Sequence, residues 1–161
     1  MSSVADREGA VAALFARLQT ICDTDFAFYS RAYVDPSSIP VQPALLLVAE
    51  RYNTKIERGK PNVWFVFVSV LLFCKAAEGE TSPETQMNGL INSVENALQR
   101  QSGEPVIDNT NLTETNLGGL VSRVSIQSWV AATGIELMMS VTGQSAAIIP
   151  VEIMMTVPSG I

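Results

Sequence analysis

Four cations crowd one short stretch of the chain. Arg51, Lys55, Arg58 and Lys60 lie within RYNTKIERGK, residues 51–60, and are four of the ten basic residues present. Cations at that density attract an acidic protein surface or a phosphate backbone; the plainer reading is a solvated loop. Gly59 and Pro61 break regular structure there, so the stretch reads as a chain that turns back on itself. These four residues are the candidate docking or channel loop.

The other chemistry-bearing patterns fall short. Gly118 and Gly119, in LGGLVSRVSIQSWV at 117–130, raise the possibility of a phosphate cradle. Such a cradle needs glycines at set spacing and a following helix whose first N–H groups face the anion. Here a polar loop precedes the glycines and an alternating strand follows, so the pair reads as a backbone device for a tight approach to a sheet. Gly59-Lys60 is followed by Pro61 rather than a hydroxyl residue, which breaks the P-loop pattern. Asp23-Thr24-Asp25 resembles the start of a calcium loop without its glycine and terminal glutamate. The carboxylates are scattered, and Glu152 reads as part of a solvated or inter-subunit face.

The chain has no histidine, which removes the commonest general base and every His-containing metal site. Cys22 and Cys74 sit among apolar neighbours and read as small buried hydrophobes. No catalytic residue, metal ligand or cofactor-binding residue is singled out, and the expectation is a protein without enzymatic activity or cofactor.

The elements that carry these residues follow from periodicity. Val11, Leu14, Phe15, Leu18 and Ile21 mark one face of a helix over 4–22, with Ser3 and Asp6 in a capping-box layout. FAFYSRAY at 26–33 reads as a short strand, and the prolines of 35–43 exclude regular structure. PALLLVAE at 43–50 is a buried strand. PNVWFVFVSVLLFCK at 61–75 is a strand apolar on both faces, one to be covered by helix and the other open to a neighbouring subunit. Met87, Leu90, Ile91, Val94 and Leu98 stripe a second helix over 83–100, with Ser82 and Pro83 as cap and first residue. A polar loop spans 101–116. Leu120, Val124, Ile126 and Val130 alternate with Arg123 and Gln127 in a half-buried strand. The last strand, 145–158, puts Ala147, Ile149, Val151, Ile153, Met155 and Val157 on one face, with Pro150 marking an edge or a bulge. The fold class predicted is α+β: a mixed, mostly antiparallel sheet of about 4–6 strands with two main helices packed on one face.

Length points to a single domain over 1–161. Charged residues are only 16% of the chain against roughly 25% in an average soluble domain, which suggests surface buried against other chains. Net charge is −6, which disfavours broad wrapping of nucleic acid. MSSVADREGA has no basic segment leading into an apolar one, so no secretory signal is expected. The apolar run at 63–74 is shorter than the ~20 residues of a spanning helix, so no membrane association is expected.

The order of these motifs resembles the small tail terminator and tail-completion (neck) proteins of long-tailed bacteriophages. The resemblance rests on Ala13-Leu14-Phe15 with Leu18 in the first helix, Pro43-Ala44-Leu45 opening a strand, and Trp64 in the aliphatic strand after a basic loop. It continues through Asn88-Gly89-Leu90-Ile91, Val94-Glu95-Asn96-Ala97-Leu98, Leu117-Gly118-Gly119-Leu120-Val121 and Ile149-Pro150-Val151-Glu152-Ile153. It implies a structural virion protein that forms a homo-hexameric ring, caps the tail tube, stops its polymerisation and joins tail to head. The implied partners are the tail tube protein, the head–tail connector and, transiently, passing DNA. The implied location is the head–tail junction of the virion, with assembly in the host cytoplasm. The long loop at 101–116 and Ser122-Arg123 depart from the pattern. Two alternatives remain at this point: another neck or head-completion protein of the same junction, and a small soluble α+β ligand-binding module.

Overall fold

This computed structural model describes residues 6–35, 38–75, 83–99, 117, 120–127, 131–132 and 144–157. The element order is α1 (Arg7–Ile21), β1 (Phe28–Ser30), β2 (Ala44–Lys55), β3 (Asn62–Lys75), α2 (Pro83–Ala97), β4 (Arg123–Ile126), β5 (Ala131–Ala132) and β6 (Gln144–Val157). The strands form one sheet in the order β1-β2-β3-β6-β4, with β5 also paired to β6. β1 runs parallel to β2 and every other pairing is antiparallel. This is the α+β, mostly antiparallel architecture expected from the sequence.

The core explains why two helices suffice. Val66, Val68, Val70, Leu72 and Cys74 of β3 point to one side, as do Ala147, Ile149, Val151, Ile153 and Met155 of β6. Ala10, Val11, Leu14 and Leu18 of α1 and Met87, Leu90, Val94 and Ala97 of α2 pack in the same cluster, so both helices cover one face. Each fully buried Leu, Ile or Val there contributes about 1.5–3 kcal/mol. The opposite face has a smaller core at one end only, made by Ile39, Ala44, Leu46, Phe73 and Ala146. Towards the other end of that face Val63, Phe65 and Phe67 stay half-buried.

One local cap and one long-range link fix the helices. Asp6 is the N-cap of α1, its carboxylate accepting from the Gly9 N–H at 2.5 Å; Ser3, the expected cap partner, lies outside the described residues. α2 has no basic residue in its last turn. Arg17 of α1 supplies the missing cation, donating from Nε to the Ala97 carbonyl at 2.5 Å and from Nη2 to the Gln99 carbonyl at 2.8 Å. A cation at a helix C-terminus offsets the negative end of its dipole.

The structure corrects two expectations. β6 is neither edge nor bulged. β3 pairs with it along all its residues without a shift, and β4 and β5 flank it on the other side. Pro150 is tolerated for a directional reason. Its carbonyl accepts from the Gln127 N–H at 2.9 Å, on the β4 side. In a strand the nitrogen of a residue points the same way as its carbonyl, so the missing N–H takes nothing from the β3 ladder. Second, β2 does not stop at Glu50 but runs on to Lys55 through most of the basic stretch. The glycine pair 118–119, the Ser82 cap and the loop at 101–116 lie outside the described residues.

Candidate functional site

The basic stretch is the far half of a β-hairpin. We call residues 49–62 the arm. From Ala49 to Lys55 every β2 residue is exposed, where the first four residues of the strand are fully buried. β2 keeps its strand form there by pairing with β3, Arg51 opposite Phe67 through Lys55 opposite Val63. The turn follows. Lys60 N–H donates to the Glu57 carbonyl at 3.1 Å, and Gly59 has φ 79°, the left-handed value that a type II turn needs at its third position.

A bulge decides which way each side chain points. Ala49 faces Val68 and Arg51 faces Phe67, so Glu50 is the extra residue. Without it, Arg51 would continue the Leu45–Leu47–Ala49 row on the helix side. With it, Arg51, Asn53 and Lys55 point to the face away from the helices, and Tyr52 and Thr54 point towards α1.

The helix side of the arm is tied to the first turn of α1. The Arg7 guanidinium lies 4.0 Å from the centre of the Trp64 ring and 5.7 Å from that of Tyr52. Its Nη2 also donates to Thr54 Oγ1 at 3.2 Å. On the other side Arg51 sits 4.3 Å over the Phe67 ring, which is stacked with Phe65 at 6.5 Å between centroids. Aromatic faces attract cations through their quadrupole.

The four predicted residues therefore do not act as one cluster. Arg51 is held on the sheet over Phe67. Lys55 and Lys60 both pair with Glu57, at 3.1 and 3.0 Å. Hydrogen bonds from Lys60 and Lys55 hold the Glu57 carboxyl below the usual carboxylate range. Arg58 projects from the turn, exposed. Sequence reading missed the other members of the site: Arg7, Tyr52, Trp64 and Ile56. Lone apolar residues in a polar stretch were the available signal for Tyr52 and Ile56, and both prove strongly exposed. Nothing local pointed to Arg7.

A shallow cavity of about 360 Å³ lies beside the arm, lined by Glu50, Arg51, Phe67, Ser69, Gln127 and Pro150. Beside it Glu152 is engaged within the sheet, accepting from Gln127 Nε2 at 3.3 Å with Arg123 Nη2 3.9 Å away; it belongs to a cross-strand network rather than to a solvated face. Cys22 and Cys74 are buried and not joined in a disulfide, and burial pushes both thiols up to about 11, the Asp25 charge adding to the effect at Cys22. Among the described residues no three potential metal ligands come together, and no helix is long and apolar enough to cross a membrane. No protein-family model and no curated protein matches the chain.

Proposed function

We propose that this chain is a structural, ring-forming assembly protein without catalytic activity. The particular reading is a tail terminator of a long-tailed bacteriophage: a homo-hexamer that caps the tail tube, stops its growth and presents the surface to which the head connector joins. The observation that carries it is the arm, a stretch of strand exposed residue after residue, paired only to its own hairpin partner among the described residues. An exposed strand edge is a ready template for pairing with another chain, which suits a component that locks into neighbours. The order of motifs and the low charge fraction support the same reading. The acidic balance of the chain suits a lumen through which DNA slides without sticking.

The test is electron microscopy of virions or free tails with this chain labelled. Label at the head–tail junction is the expected outcome, and label anywhere else sinks the reading. Native mass spectrometry of the assembled form should give six copies. Arg58→Glu combined with Arg51→Glu should block tail–head joining, and a normal infectious titre would return the arm to a solvated hairpin. Arg51 also covers Phe67, so the single Arg58→Glu variant serves as the cleaner control.

A further inference from the structure

We propose that the arm is the association surface for a second copy of this chain: the outer edge of β2, with Tyr52 and Ile56, seats on the acidic body of the next protomer. The inference rests on the ring reading in requiring more than one copy. It goes further by committing the arm to the adjacent subunit rather than to the tail tube or the connector.

Three observations lead there. First, β1 pairs with β2 only over Ala44–Leu46, so beyond Leu46 no described strand lines its outer side. A free edge presents unpaired N–H and C=O groups and is a template for strand addition. Glu50 bulges from this edge and Arg51 and Lys55 charge it. Such guards turn away indiscriminate strands and favour one with complementary charge.

Second, residues 49–56 are exposed in an unbroken row, and the two bulky apolar side chains among them are strongly so: Tyr52 is 50% and Ile56 72% exposed. An aromatic and an aliphatic residue beside a free edge are anchors suited to a protein surface.

Third, the charges complement those of the chain itself. Residues 50–60 hold four cations against Glu50 and Glu57, leaving +2; with the whole chain at −6, the remainder carries −8. Opposite net charges on the arm and on the rest of the sequence favour a head-to-tail contact. Contacts between unlike surfaces of identical chains generate closed rings when the rotation closes. DNA is the weaker partner, because Glu57 already engages Lys55 and Lys60 and because backbone binding has no use for Tyr52 and Ile56.

The experiment compares the full chain with an Ile56→Asp/Arg58→Glu variant by sedimentation equilibrium at low and high salt. Hydrogen exchange is followed on both, together with binding of duplex DNA by anisotropy. Both residues are exposed, so at high dilution and high salt, where neither chain associates, the unfolding midpoint of the variant should equal that of the parent. The parent should self-associate at low salt and more weakly at high salt, and the variant should associate at least about ten-fold more weakly. Amides of residues 47–55 should be slowed in the associated parent and fast in the variant. A parent that stays monomeric at every concentration overturns the proposal, as does an oligomer that the variant leaves intact or in which those amides stay fast. Loss of DNA binding with unchanged association also overturns it and hands the arm to nucleic acid. An oligomer untouched by the variant leaves the ring reading standing, whereas label away from the head–tail junction defeats that reading without touching the arm.

Discussion

One strand, β2, lives in two environments. Ala44, Leu45, Leu46 and Leu47 are buried on both sides, while Ala49 through Lys55 are exposed on both. The backbone does not register the change except at Glu50, where a single extra residue resets which side each chain faces. The difference separates two causes of strand formation. In the body, strand residues are held by what their side chains bury. In the arm they are held by the ladder to β3, which is itself clamped on its other side by β6. A two-stranded ribbon alone is marginal in water; a third strand behind β3 is what lets the arm stand.

The sharpest way to break this comparison is to truncate the same strand in both halves. Leu47→Ala removes a fully buried side chain from the helix-side core and should cost about 2–5 kcal/mol. Tyr52→Ala, half exposed in the arm, should cost no more than about 0.5–1 kcal/mol, chiefly its share of the Arg7 contact. Urea unfolding of both variants measures the pair, and equal losses would mean that the arm is packed as the body is. A second, smaller effect should report on the body alone. The Cys22 and Cys74 thiols rise from 9.0 to about 11 because burial disfavours the thiolate. Both lie in the helix-side core. A raised folded value means the unfolded chain releases its protons first. This stability is complete below pH 9 and is lost as pH rises through 11. Thermal melts across that window should fall by several degrees. Replacing both cysteines by Ala should flatten the fall, leaving the smaller contribution of Tyr29, which burial raises to about 12.

How much of this was legible beforehand follows the same division. The body was readable because burial writes a period into the sequence: the stripes of α1 and α2, the two-sided apolar run of β3 and the alternation of β6 all locate their elements within a few residues. The arm was not, because a strand held by its ladder needs no alternation, and RYNTK shows none. Nor can a run of cations say which of them meet. The bulge at Glu50 puts Arg51 on Phe67, and the turn gathers Lys55 and Lys60 around Glu57. The place of Pro150 in the interior of the sheet depends on which neighbour its nitrogen faces, a fact of pairing and not of residue type. Arg17 and Arg7 were invisible for another reason, since each meets its partners across long stretches of chain.

Those two arginines give the finer tests. Arg17→Ala leaves the Ala97 and Gln99 carbonyls at the end of α2 without their cation and should cost about 1–2 kcal/mol. Arg17→Lys should recover only part of that, because one ammonium cannot reproduce a planar fork reaching two carbonyls. If the two variants unfold alike, the contact is one of charge and not of geometry.

Arg7 lies at the boundary between the two regions, and its removal should be the smallest effect and the most local. Its guanidinium bridges α1 to Trp64, Thr54 and Tyr52, so it reaches from a helix to the arm on its helix side. A cation–π contact at such a site contributes about 0.5–1 kcal/mol, and Arg7→Ala should lower the unfolding free energy by no more than that. The telling signal is positional. Trp64 should emit to the red as water replaces the guanidinium over its ring. Amides of the arm should exchange faster, while those of Val66–Leu72 in the body stay protected. A loss of protection that spread through β3 would show that the arm and the body open together, and that the ladder rather than the helix contact sets where one ends and the other begins.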